Sequence, residues 1–185
     1  MPLVFAAIAP HGGIAVAEAC APGEREVAAV TRAGLEELGH LFTSSQPDVV
    51  IVATPHNVHI ANALGVIVAS RVAGRLNGVI PPVGLDVPCE SELARQVLDS
   101  FGAASLPAAG VSFGTNEPGT AVAPMDWGAL IPLWVMGGRS RPQVPAVIAS
   151  PARDCWIAPS PPQRNFISSN ASSGCLLPAD IDHAV

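Results

Sequence analysis

Two histidines, His11 and His56, have the residue type and the setting from which chemistry could be built. Each follows a short apolar run of β-strand character, Leu3 to Ala9 before His11 and Val49 to Ala53 before His56. Each precedes loop-forming residues, Gly12-Gly13 in the first case and Asn57 in the second. In an α/β fold, neighbouring parallel strands end at the same edge of the sheet, where ligands bind. Imidazoles projecting from two such strand ends would meet in one crevice, and neutral imidazole is a common metal ligand. A bound metal ion is therefore the first hypothesis. The alternative is a pair of ordinary loop histidines satisfied by backbone hydrogen bonds.

Two histidines alone make a poor metal site. Open iron sites commonly add one carboxylate on the same face, leaving positions for substrate and oxygen. Asp48, Asp86, Glu90, Glu117, Asp126, Asp180 and Asp182 all qualify by type, and spacing singles out none of them. His59 lies three residues after His56, so a helical turn there would put both rings on one face. It could then move protons near neutral pH, support a ligand or act as a third one. The alternative is a solvent-facing residue. His40 sits beside Glu36 and Glu37 and reads as part of a solvated helix face, and His183 lies in an irregular stretch. Asp126-Trp127-Gly128 follows a glycine-rich loop. Asp126 suits a helix N-cap, and Trp127 could wall an aromatic pocket by stacking; a purely structural helix start is compatible with both.

These residues need strands and helices to hold them. Leu3 to Ala9 is expected as the first strand. A helix from about Pro22 to Ser45 follows, with Val27, Val30, Leu35, Leu38, Leu41 and Phe42 recurring at helical spacing. Pro47 ends it, and Val49 to Ala53 completes a β-α-β unit with a right-handed crossover. Leu64 to Ser70 reads as a third strand, and Val72 to Ile80 as an edge hairpin that shapes the mouth of the site. Glu90 to Phe101 reads as the second helix, stopped by Gly102. Ala109 to Phe113 is a short strand, Asp126 to Met136 a helix containing Pro132, and Val144 to Ser150 a last apolar strand. The fold class is thus α/β.

Composition narrows the function classes. The 185 residues are 49% hydrophobic and 13% charged, which suits one globular domain with a substantial core. Net charge is -6, every basic residue is arginine, and no basic patch is present to grip nucleic acid. The four cysteines, Cys20, Cys89, Cys155 and Cys175, form no CxxC pair and read as reduced thiols of a cytoplasmic protein. The apolar start lacks a basic leader, and no run is long enough to span a bilayer. Two regions follow, an α/β domain over 1–154 and an irregular tail over 155–185. The tail is proline- and serine-rich and has no packing periodicity, which reads as disorder or as a departure from the ancestral reading frame.

Three motifs, in order, carry a resemblance: APHGG at Ala9 to Gly13, PDVVIVATPHNVH at Pro47 to His59, and PMDWGALIPLW at Pro124 to Trp134. Together they resemble the catalytic subunits of class III extradiol ring-cleavage dioxygenases, relatives of protocatechuate 4,5-dioxygenase and of the Memo-like proteins. The resemblance covers about Met1 to Asp154. It implies an α/β fold with a central mixed, mostly parallel sheet and helices on both faces, a non-haem Fe(II) site with His11 and His56 as ligands, and an aromatic diol and dioxygen as substrates. Asp126, Trp127, Asn57 and Gly12 would lie about the substrate pocket. Two departures stand out. The family's third ligand, a glutamate near the end of a longer chain, has no counterpart here, so the domain is expected to be C-terminally incomplete and poorly soluble alone. The family's Asp-His-Gly reads Asp126-Trp127-Gly128 in this chain, which leaves His59 as the candidate proton-transfer group.

The leading expectation is an Fe(II)-dependent extradiol dioxygenase acting on a catechol-like ring. The second is a non-catalytic interaction protein on the same fold, favoured by both departures. A zinc-dependent hydrolase using the same histidines is the third. A homo-oligomer is compatible with any of them, and neither nucleic acid nor membrane is an expected partner.

Overall fold

The computed structural model describes residues 2–21, 23–79, 82–114, 120–138 and 146–150. The tail expected over 155–185 lies outside the described residues, as do Glu117, Asp180, Asp182, His183, Cys155 and Cys175. The described strands form two sheets. The larger has the order β1 (Val50–Ala53), β7 (Ala146–Ser150), β2 (Leu64–Ile67), β5 (Ala108–Val111). β1 runs parallel to β7 and β2 parallel to β5, while β2 and β7 are antiparallel. In the smaller sheet β3 (Arg71–Arg75) is the middle strand, antiparallel to β4 (Gly84–Pro88) and parallel to β6 (Val122–Pro124). The α/β class with mixed pairing is as the sequence predicts. The partition into two sheets is not foreseen, and β3 is central where an edge hairpin is expected.

Alternation along the buried strands explains the layering. Val66 of β2 and Val147 of β7 face one side, against Ala94, Leu93, Val97 and Leu98 of α2 (Ser91–Ala103). Their neighbours Ile67 and Ile148 face the other side, into the main core. There they meet Val72, Leu85, Val87 and Ala123 of the smaller sheet, with Leu130 and Leu133 of α3 (Trp127–Leu133). Helices thus cover the larger sheet on both faces. Pro132 lacks the N–H that would continue the α3 ladder. The chain leaves through the wider turn Trp134–Gly138, in which Gly137 takes φ of 132°.

Two expectations are corrected. Leu3–Ala9 forms no strand: residues 2–12 carry no regular structure, and Leu3 and Ile8 are 85% and 99% exposed. An apolar, β-prone run becomes a strand only when a ladder receives its backbone, and β1 pairs with β7 alone. The segment instead rests one ring, Phe5, edge-on against Phe42, with centroids 5.6 Å apart. The predicted β-α-β unit is therefore absent. The first helix, α1, spans Ala29–Ser45 rather than starting at Pro22. Before it, Glu24 accepts a hydrogen bond from the Ala21 N–H at 3.0 Å, and the carbonyls of Ala21 and Glu24 close three-residue turns. The buried stripe narrows to Leu35, Gly39 and Phe42, with Val27, Val30 and Leu41 left exposed. Among the described residues no helix is long and apolar enough to cross a membrane.

At Gly74 the middle strand of the smaller sheet lies close to the link between β6 and α3, where a Cβ would strike the carbonyl oxygen of Met125. Gly74→Ala should therefore lower stability by about 1–3 kcal/mol through overpacking. Gly34→Ala, on the open face of α1 with nothing within 4 Å, should raise it by about 0.5–1 kcal/mol. Urea unfolding midpoints that shift in opposite directions are the expected result.

Candidate metal centre

His11 ends the irregular N-terminal segment, just before the tight turn Gly13–Ala15. His56 lies in the bend that follows β1. Although 45 positions apart in sequence, their Nε2 atoms are 2.9 Å apart. The ring centroids are 4.9 Å apart and the planes inclined at 66°. Both histidines are half-buried. Two facing nitrogens at this distance have two explanations. One ring can donate its N–H to the other, which fixes opposite tautomers. Alternatively, both lone pairs can meet one cation. Nitrogen ligands in adjacent positions of a first-row metal, with bonds of about 2.1 Å, stand about 3 Å apart. The donor pair thus fits a metal ion. Among the described residues no third histidine, cysteine or carboxylate joins them in one group.

Trp127 holds His56 from the other side. Its indole stacks on the imidazole with centroids 4.5 Å apart and planes 27° from parallel. With His11 at its Nε2 and Trp127 on its face, His56 has little freedom to rotate. The indole remains 51% exposed, so its outer part is open to solvent.

Beneath the tryptophan is a clamp centred on Asp126, the N-cap of α3. Its Oδ1 accepts hydrogen bonds from the Gly128 N–H at 2.7 Å, the Ala129 N–H at 3.2 Å and the Thr54 hydroxyl at 2.7 Å. Its Oδ2 accepts one from Asn57 Nδ2 at 3.1 Å. Asn57 also donates to the Pro124 carbonyl at 3.2 Å, and its Oδ1 accepts from the Val58 N–H at 2.7 Å. Thr54 and Asn57 are the buried polar side chains among the described residues, and both are satisfied by this network. Gly128 makes the close approach possible. A Cβ there would collide with Thr54 Oγ1 and lie 3.1 Å from His56 Cδ2.

The structure brings together His11, His56, Trp127, Asp126 and Asn57. Gly12 flanks them through its backbone, its carbonyl accepting the Ala15 N–H at 2.9 Å. His59 is exposed on an irregular stretch, and the turn that would align it with His56 does not form. It has no hydrogen-bond or ring partner among the described residues. Asp86 is paired with Arg71 at 2.8 Å, Glu90 precedes α2 at its N-cap, and Asp48 is exposed beyond α1. Two participants were missed from sequence. Thr54 is a small polar residue at a strand end, signalled only by its place between a buried strand and His56. Arg75 lines an open pocket of about 430 Å³ with Gly13, Asn77, Met125, Asp126 and Trp127. Cys89 offers no nucleophile, because burial pushes its thiol up to about 11 against the opposing pull of Arg71.

Removing the Asp126 carboxylate should loosen the whole arrangement. Asp126→Ala loses the cap and strands two buried donors, for a cost of about 3 kcal/mol. Asp126→Asn keeps an acceptor and should cost about half as much. Chemical unfolding measures both, and a red shift of tryptophan emission in the alanine variant would report release of Trp127 from His56.

A family model described as the catalytic LigB subunit of aromatic ring-opening dioxygenase matches residues 5–155. Comparison with curated proteins finds no match. The family match takes in every helix and strand of the described fold, the histidine pair and the Asp126 clamp. The chain belongs to the family of catalytic LigB subunits of aromatic ring-opening dioxygenases.

Proposed function

We propose that this protein is a non-haem Fe(II)-dependent extradiol dioxygenase that opens a catechol-like ring. The observation that carries the reading is the 2.9 Å approach of His11 Nε2 to His56 Nε2. Bound iron would supply a Lewis-acidic, redox-active centre at which an aromatic diol and dioxygen react. The chain's own residues hold, orient and protonate. His11 and His56 would hold the metal as neutral imidazoles through their Nε2 atoms. Trp127 fixes the plane of His56 and offers the exposed part of its indole to a planar ring. The Asp126 clamp keeps both His56 and Trp127 in register. Indole has no basic nitrogen, so Trp127 cannot accept a proton from a diol hydroxyl. We assign that transfer to His59, supported by its solvent access and its place on the His56 segment.

Trp127 also favours a second reading. An aromatic side chain that carries no proton, set where the family resemblance implies a histidine, suits a non-catalytic interaction protein built on the same fold. Metal content separates the two.

Anaerobic titration of the purified chain with Fe(II) should reach one iron per chain. His11→Ala and His56→Ala should each weaken binding by more than about 100-fold, beyond the loss caused by removing an outer partner of a ligand. Oxygen uptake with a catechol and a yellow ring-fission product complete the expected result. Failure to hold iron at all would favour the interaction protein, and stoichiometric zinc with hydrolytic activity would favour a hydrolase. In single turnover, His59→Ala should slow ring opening while leaving iron binding intact; unchanged rates would remove His59 from the mechanism.

A further inference from the structure

We infer that Thr54 is the positioning residue that sets where His56 meets His11, so that its hydroxyl governs how well the pair holds a metal ion. The inference deepens the metal-site reading of the histidine pair and rests on it for that consequence.

The local sequence Thr54-Pro55-His56 leaves little slack. Pro55 fixes its own φ at about −65° and disfavours helical backbone at the residue before it. Thr54 is tied to the larger sheet, because its N–H donates to the Ala149 carbonyl of β7 at 2.9 Å. A β-branched side chain has a restricted χ1, so a backbone fixed at this point also fixes where the hydroxyl points. The imidazole of His56 thus starts two residues from a pinned backbone.

The Thr54 hydroxyl makes two contacts of opposite sense. It donates to Asp126 Oδ1 at 2.7 Å and accepts the His56 N–H at 3.4 Å. One oxygen therefore joins the N-cap of α3 to the backbone of His56, and Thr54 is only 1% exposed, so water does not compete for either contact. A methyl group in place of the hydroxyl would lie 2.7 Å from a carboxylate oxygen. Carbon and oxygen normally approach no closer than about 3.3 Å, so the cap or the end of β1 would have to shift by roughly 0.6 Å. Functional constellations keep productive geometry only within about 0.5 Å. The His56 N–H would lose its acceptor in the same change. Trp127 restrains the plane of the His56 ring, whereas Thr54 restrains the backbone that carries it.

Fe(II) affinity of the full chain, measured anaerobically by competition with a chromophoric chelator, tests the assignment. Thr54→Val keeps the volume and Thr54→Ala relieves the crowding, and both lack the hydroxyl. Each should bind Fe(II) about tenfold more weakly, the lower end of what loss of an outer partner costs a metal site. Thr54→Ser keeps the donor and acceptor and should stay within about twofold of wild type. Leu98→Ala, which opens the packing on the opposite face of the larger sheet, lowers stability without touching the hydroxyl and should leave iron affinity unchanged. In the metal-free chain, nuclear Overhauser contacts between the His11 and His56 rings should weaken in Thr54→Val and Thr54→Ala and persist in Thr54→Ser. Unchanged iron affinity in the two hydroxyl-free variants, an equal loss in Thr54→Ser, or an equal loss in Leu98→Ala overturns the assignment and leaves the metal-site reading standing. If the wild-type chain takes up no iron, the metal-site reading falls and the ring contacts alone decide the role of Thr54. Their loss in the hydroxyl-free variants then supports it, and unchanged contacts overturn it.

Discussion

The geometry of the site depends on one carboxylate. Asp126 receives two hydrogen bonds from the first turn of α3 and two from the segment that follows β1. It is at once a helix cap and a bolt between two elements 70 or so positions apart. The larger sheet fixes where β1 ends, and the smaller sheet fixes where α3 begins, since β6 leads into it. The carboxylate ties those two points together. The Thr54 hydroxyl and the Gly128 N–H depend on this carboxylate for their acceptor, whereas Asn57 also donates to the Pro124 carbonyl and the Ala129 N–H to the Asp126 carbonyl. His56 and Trp127, each one residue from a member of this network, inherit their positions from it.

The histidine pair follows from that constraint rather than from the path of the N-terminal segment. Residues 2–12 have no ladder of their own, yet His11 reaches His56 because the next turn is anchored. Val16 is fully buried against Val83 and Ile131, and Ala15 is buried beside it. The anchor is therefore hydrophobic and local, immediately after the functional residue. A loop held on one side by a buried valine and on the other by a ring contact between Phe5 and Phe42 can present an imidazole without being a strand. Such a segment is also one that a ligand can order further, since few backbone hydrogen bonds must break for it to move.

Much of this was legible from residue pattern. The acidic cap at Asp126, the second helix and the inner strands followed from residue type and spacing, because each rests on local physics; the two histidines stood out by type, but of the two strand ends expected to bring them together the first does not form. What depended on partners elsewhere was not legible. Leu3–Ala9 has every local mark of a strand, but pairing is a tertiary event and no sequence window reports it. The split into two sheets arises because β6, a three-residue strand, chooses β3, again a long-range choice. Thr54 shows no periodicity to notice; its role appears only when Asp126 arrives opposite it. Arg75 is one arginine of nine by composition, and only its place at the pocket sets it apart.

Trp127 gives the pocket a property that a histidine at position 127 would not. An imidazole there could exchange protons, but it would offer a smaller face and a charge that varies near neutral pH. Indole is uncharged at every pH of interest and stacks continuously on His56. Trp127 thus gives up proton exchange and keeps a constant aromatic face beside the histidine pair.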